Sequence, residues 1–164
     1  MDNNAPVSRV AGTRLRLAKA ADIPIIQTQV ASAYTKYIGR IGKPPAPMLA
    51  DYFELMQSHQ IYVLCQDGTG TIVGSIVLGL PQGSSSANIN NLVVDPSQQG
   101  KGFGSALMRC AEDVAVDNSR TSLDLYTNVK MHENFSLYHR MGVKEVDRRT
   151  ESGYERVYFK KDLA

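Results

Sequence analysis

The chain has 164 residues, of which 43% are apolar and 21% charged, and a formal net charge of +2. That length allows one domain with one substantial core, and the composition is ordinary for a soluble globular protein. The charge is too small to point to a nucleic-acid partner, no basic block occurs, and the apolar runs fall well short of the roughly 20 residues a membrane span needs.

The opening MDNNAPVSRVAG lacks the apolar stretch of a secretory signal, so residues 1–12 read as a flexible tail before one domain over residues 13–164. Arg14 to Ala18 alternates and predicts a first strand. Asp22 reads as an N-cap with Pro24 in the first turn, and Ile23, Ile26, Val30, Tyr34 and Tyr37 recur at helical spacing. Gly39, Gly42 and the run from Pro44 to Pro47 end that helix, and Met48 to Met56 predicts a second, short one. The period then changes. Ile61 to Cys65 and Thr71 to Leu80 read as a hairpin about Asp67, Gly68 and Gly70, and Asn88 to Val94 as a third strand ending at Asp95-Pro96. Phe103, Ala106, Leu107, Cys110, Ala111 and Val114 form one apolar helical stripe. Ser122 to Thr127 alternates, Met131 to Met141 predicts a short helix stopped by Gly142, and Val143 to Arg149 pairs with Tyr154 to Lys160 about Ser152-Gly153. Asparagine is disfavoured in strands, and plain alternation would put the amides of Asn88, Asn90 and Asn91 on both faces of a central strand bordering a wet cleft. The other reading starts the strand nearer Asn90 and leaves Asn88 in the loop.

Between the third strand and the long helix lies Gln99–Ser105, QGKGFGS, in which Gln99, Gly102 and Gly104 are spaced Q-x-x-G-x-G. Such a loop can turn several backbone N–H groups toward one anion at a helix N-terminus, where the dipole also favours negative charge. It is neither a nucleotide P-loop nor a dinucleotide fingerprint, since G-x-x-x-x-G-K-[ST] and G-x-G-x-x-G are both absent. Cys65 and Cys110 fall in apolar patterns and read as buried free thiols. With no C-x-x-C or Cys/His cluster, no metal site is expected, and the chain reads as one of a reducing cytoplasm.

Asn91–Met108, NLVVDPSQQGKGFGSALM, resembles the acetyl-CoA-binding motif of the GCN5-related N-acetyltransferase (GNAT) family, and Leu137–Val143, LYHRMGV, resembles that family's L-Y-x-x-x-G-F segment. The element order matches from about Arg14 to Leu163. The resemblance implies a mixed α/β (α+β) domain, with a mostly antiparallel sheet of about seven strands splayed between its two central strands, and four helices. It implies acetyl-CoA as donor, with Gln99, Gly100, Lys101, Gly102, Phe103, Gly104 and Ser105 about the pyrophosphate. Leu92, Val93 and Val94 would lie along the pantetheine arm, and a bulge at Val93 and Val94 would open the slot. The Val94 N–H would stabilise the oxyanion, and Tyr138 would act as general acid to the departing thiolate while also touching the cofactor.

Three positions depart from the family pattern. Asn88 stands where some members carry a glutamate base, and no carboxylate occurs between Gly70 and Val94. The base is then a relayed water, a residue elsewhere such as Asp124 or Glu133, or none if the amine arrives neutral. Met131 replaces an asparagine seven residues before the tyrosine, and Asn134 is the substitute cofactor contact. Val143 replaces the aromatic after the glycine. His59, His132 and His139 show no ligand spacing and read as surface or helix-end residues. The acceptor site of the family is built mainly from the first two helices. Tyr34, Lys36, Tyr37, Arg40 and Lys43, with no acid from Ala33 to Pro47, read either as a cationic rim for an acceptor's carboxylate or phosphate or as a solvated helix end. The function implied is transfer of acetyl from acetyl-CoA to a primary amine, on a small molecule first, with a protein N-terminus or lysine as the alternative. A non-catalytic acyl-CoA-binding or sensing domain is the rival class. Members of the family often form homodimers, and no stretch here identifies such an interface.

Overall fold

The computed structural model describes residues 5–163. Residues 1–4 of the expected tail and Ala164 at the end of the expected domain lie outside them. Seven strands form one sheet: β1 (Thr13–Leu17), β2 (Gln60–Gln66), β3 (Ile72–Gly79), β4 (Ser86–Val94), β5 (Ser122–Asn128), β6 (Lys144–Glu151) and β7 (Tyr154–Asp162), in the order β1-β2-β3-β4-β5-β7-β6. Every neighbouring pair is antiparallel except β4 and β5, which α4 (Phe103–Asp117) connects as a crossover. The apolar stripe of α4 buries Phe103, Leu107, Cys110, Ala111 and Val114 against Ile76, Leu78, Ile89, Leu123, Leu125 and Phe159. The opposite sheet face carries Val63, Cys65, Val77 and Val93 under Ile23, Ile26, Val30, Tyr34 and Tyr37 of α1 (Ile23–Ile41). Both cysteines are buried and free. In the described part of the expected tail, Arg9 pairs with Asp113 at 3.2 Å and Val10 rests on the α4 core.

Several helix expectations need correction. Asp22 does not cap α1. Its carboxylate pairs with Arg16 at 2.7 Å and accepts the Lys19 N–H at 2.7 Å, because a 3-10 turn over Ala20–Asp22 precedes the helix. Gly39 lies inside α1, which runs on to Gly42, where a left-handed φ of 87° ends it. The expected helix from Met48 to Met56 is two pieces, α2 (Ala46–Leu49) and α3 (Tyr52–Ser58). The Asp51 carboxylate accepts the Glu54 N–H at 3.1 Å and so starts a fresh helix. The segment from Met131 begins as a 3-10 turn over His132–Asn134 before α5 (Phe135–Arg140), so there are five α-helical segments where four were expected.

The sheet divides at β4. Its pairing with β5 runs only from Ser86 opposite Ser122 to Ile89 opposite Leu125, whereas β4 continues to Val94 beside β3 and β5 to Asn128 beside β7. On the β3 side Leu78 faces Ile89 and Val77 faces Asn91, so Asn90 is an extra residue. A one-residue bulge sharpens local twist and ends regular pairing, which swings the end of β4 away from β5. The bulge thus falls at Asn90, not at Val93 and Val94. It also reverses the alternation: Ala87 and Ile89 face the α4 core before it, and Leu92 and Val94 face that core after it. Asn88, Asn90 and Asn91 consequently share the α1 face rather than being divided between faces, and the strand starts at Ser86, so Asn88 belongs to it.

Asn91 is buried and fully engaged. The Tyr34 hydroxyl lies 2.8 Å from its Oδ1 and 2.9 Å from the Leu92 carbonyl, and its Nδ2 donates to Tyr52 Oη at 2.9 Å. Tyr52 Oη in turn donates to the Pro47 carbonyl at 2.9 Å. One side-chain amide therefore ties α1, α3 and the α2 segment to the bulged strand. Replacing Asn91 by Leu removes the shared partner and leaves each tyrosine hydroxyl only its backbone carbonyl. We expect Asn91→Leu to lose about 1–3 kcal/mol of stability in urea denaturation, and an unchanged midpoint would show that the network carries no stability.

Candidate active site

The candidate donor side lies at the start of α4. Gly102, at φ 82°, caps the helix, and the first bond inside it runs from the Ala106 N–H to the Gly102 carbonyl at 3.1 Å. The N–H groups of Phe103, Gly104 and Ser105 precede that bond and have no partner within the helix. They border a cavity of about 290 Å3 that also takes in Leu92, Val93, Val94, Gln99, Gly100, Asn134 and Leu137. A Cβ at Gly104 would sit 3.2 Å from Leu137 Cδ2 and 3.9 Å from Val94 Cγ2, so glycine lets the helix start lie against both β4 and α5. Lys101 stands off the cavity, and its Nζ donates to Gln98 Oε1 at 2.8 Å.

Register decides which main-chain groups of β4 open on the gap. The Asp95 N–H donates to the Val73 carbonyl at 2.8 Å, and Val94 is opposite Gly74. Alternation along an antiparallel ladder then makes Val93 and Ser75 a bonded pair and turns the N–H and C=O of Val94 and Leu92 away from β3. Val93 instead buries its side chain under α1.

A second cavity, of about 220 Å3, lies on the α1 face at the bulge and meets the first at Tyr34, Leu92 and Asn134. Tyr138 lines it, 8% exposed, with its ring 5.3 Å from that of Phe159. Burial holds the Tyr138 hydroxyl well above the ordinary tyrosine range, so it keeps its proton at neutral pH. The cavity is walled by Pro45, Ala46 and Pro47 on one side and by Tyr126, Thr127, Asn128, Tyr154 and Arg156 on the other. Tyr154 Oη donates to the Pro44 carbonyl at 2.8 Å and joins the last hairpin to the α1–α2 connection across its mouth. Met131, at the family's asparagine position, is buried in the α1 core.

Of the two carboxylates considered as bases, neither lines this cavity. Glu133 is held by Arg40 at 2.5 Å, Lys36 at 3.4 Å and His132 at 3.1 Å, and the Arg40 hydrogen bond in particular pushes its carboxyl down to about 2. Lys36 thereby borders the first cavity with Glu133, Arg40 is tied to the same carboxylate, and the expected cationic rim is reduced to Lys43, whose Nζ lies 4.0 Å from the centre of the Tyr154 ring. Asp124 is opposite Asn88 on β5 and lines an adjoining depression with His59, Asn88 and Asn90. The residues the sequence reading missed are Tyr126, Tyr154 and Arg156. Their signal was the alternation of β5 and β7, where buried Leu123 and Leu125 leave Tyr126, and buried Val157 and Phe159 leave Tyr154, Arg156 and Tyr158, on the other face.

A model of the acetyltransferase (GNAT) family matches residues 29–143, and the chain belongs to that family. No curated protein matches it. Among solved structures, a nourseothricin acetyltransferase superposes with a TM-score of 0.72 at 20% identity, covering 94% of this chain and 100% of its own. A GNAT acetyltransferase from Elizabethkingia anophelis with acetyl-CoA bound gives 0.69 at 17% identity, covering 93% and 99%. The ribosomal-protein-S18-alanine N-acetyltransferase from Escherichia coli gives 0.66 at 16%, covering 93% and 94%. These likenesses establish the shared fold. Among the described residues, no cluster of His, Cys, Asp or Glu could hold a metal, and no helix is long and apolar enough to cross a membrane.

Because the Glu133 carboxyl is depressed from its ordinary 4.5, its ion pairs contribute above pH 4.5 and are lost as pH falls toward 2. A carboxyl titration by NMR should place its midpoint near pH 2, and a midpoint near 4.5 would mean the Arg40 pair does not form in solution.

Proposed function

We propose that this chain transfers an acetyl group from acetyl-CoA to a primary amine of a small-molecule acceptor by direct attack in a ternary complex. The observation that carries the reading is the meeting of the two cavities at the divided strand, with the helix N-terminus on one side and the protonated Tyr138 on the other. The residues fit the donor: free N–H groups of α4 suit a pyrophosphate, and the unpaired edge of β4 suits an extended amide-bearing arm. Gln99, Gly100, Gly102, Phe103, Gly104 and Ser105 would surround the phosphates, with Lys101 adding charge at the rim. Leu92 and Val94 offer main-chain groups to the arm, Val93 supports them from below, and Asn134 stands where donor and acceptor meet.

In this reading the Val94 N–H receives the negative charge that develops on the carbonyl oxygen, and the Tyr138 hydroxyl protonates the leaving thiolate. No carboxylate reaches the acceptor cavity among the described residues, so the amine enters neutral or passes its proton to water near Asn90, Asn91 and Thr127. The Tyr154–Pro44 bridge across the mouth favours a small acceptor over a protein segment. The chain would work in the cytoplasm.

Thiol release from acetyl-CoA across a panel of primary amines tests the activity. Tyr138→Phe should lower kcat by about 100-fold or more while leaving the Kd for acetyl-CoA within twofold. Turnover that survives the change removes Tyr138 as the acid, and donor binding without turnover on any amine identifies a sensing domain instead. Without an enzymic carboxylate base, kcat/KM should rise with pH along the acceptor's own ammonium titration and move when an amine of different pKa is used. A limb fixed near pH 5 for every amine would reveal a carboxylate base.

A further inference from the structure

The acceptor cavity holds one charged lining residue among those described, Arg156 on β7. Its side chain is 11% exposed, so the guanidinium is largely withdrawn from water. It lies 4.3 Å from the centre of the Tyr126 ring, and Nη1 donates to Glu151 Oε2 at 3.1 Å. Glu151 is shared with Arg149 at 3.2 Å, so a single carboxylate spans two guanidinium groups. A guanidinium carries five donors in a fixed fork, and one hydrogen bond to Glu151 leaves donors for a planar anion on the cavity side. Lys43, with no acidic partner among the described residues, stands over Tyr154 at the same mouth and adds positive charge. The wall combines apolar Leu55, Ile89, Leu125 and Met131 with polar Asn90, Thr127, Asn128 and Asn134, and no acid lines it, Glu151 standing against Arg156 outside that lining.

We propose that Arg156 binds the anionic group of the acceptor, which is an amine carrying a carboxylate and an apolar body, as in an apolar α-amino acid. The assignment deepens the acetyl-transfer reading and rests on it for the amine, but the charge selection has its own readout. Stacking on Tyr126 and the bond to Glu151 pre-set the guanidinium plane, so little side-chain freedom is lost when the carboxylate docks. The apolar stretch of the wall takes the side chain, and Tyr138 lines the same cavity as Arg156.

Calorimetry in saturating CoA tests this with N-acetyl-leucine, N-acetyl-methionine and N-acetyl-phenylalanine against their carboxamides. The acids should bind the wild-type protein at least about tenfold more tightly than the amides, the size of a lost charge-assisted pair. Arg156→Gln should bring the two within about twofold, and Arg156→Lys should keep part of the preference, with the Kd for CoA checking that each variant is folded. Amides binding as well as acids, no binding of either, or a preference that survives Arg156→Gln overturns the assignment. Should the acids be preferred while none of the three free amino acids supports thiol release from acetyl-CoA, the acetyl-transfer reading fails for them and the anion site stands.

Discussion

One extra residue in one strand organises this molecule. Asn90 interrupts the ladder between β3 and β4, and from that point β4 stays with β3 while β5 stays with β7. A central sheet that parts in its middle exposes backbone groups that would otherwise be paired. Such groups are costly to leave bare and need a partner from water or a ligand. The parting is braced from both faces. On one, α4 begins beneath the gap and packs on both halves through Leu107 and its neighbours. On the other, Tyr34 and Tyr52 hold Asn91.

The same bulge makes a polar cleft out of an otherwise apolar strand. Because alternation reverses at Asn90, Leu92 and Val94 continue to serve the α4 core while three amides accumulate on the α1 face. Asn91 is consumed by the tyrosine network, which leaves Asn90 at the cavity and Asn88 in the adjoining depression beside Asp124. The proton inventory follows from this geometry. Burial keeps Tyr34, Tyr52 and Tyr138 protonated, with Tyr52 pushed to about 12, and the carboxylates lie outside the cavity. The cleft is therefore rich in donors and poor in bases. That balance suits protonation of a leaving group better than abstraction from an ammonium.

Charge is divided between the two sides of the gap. Beside the first cavity Lys36 and Arg40 of α1 are spent on Glu133, which ties the turn before α5 to α1. At the second cavity Arg156 stands on the Tyr126 ring and pairs with Glu151, while Lys43 stands over Tyr154 with no acidic partner among the described residues. A helix N-terminus and an arginine thus place positive potential in the two adjoining cavities.

Much of this was legible in the chain itself. The strand and helix periods, the glycine spacing from Gly102 to Gly104, the stop at Gly142 and the tight turn at Ser152-Gly153 are local properties. They are set by side-chain alternation and by which residues tolerate positive φ. The Q-x-x-G-x-G loop and Tyr138 were visible in the same way, and they line the two adjoining cavities. Tertiary structure decided what depends on register and on distant partners. It placed the bulge at Asn90, because a one-residue slip is a property of two strands and not of one. It turned Lys36 and Arg40 to Glu133, some 90 residues away in sequence, and so left Lys43 alone of the expected cations at the rim. It brought Arg156 into the acceptor cavity because β7 enters the sheet beside β5, an order that no local pattern encodes.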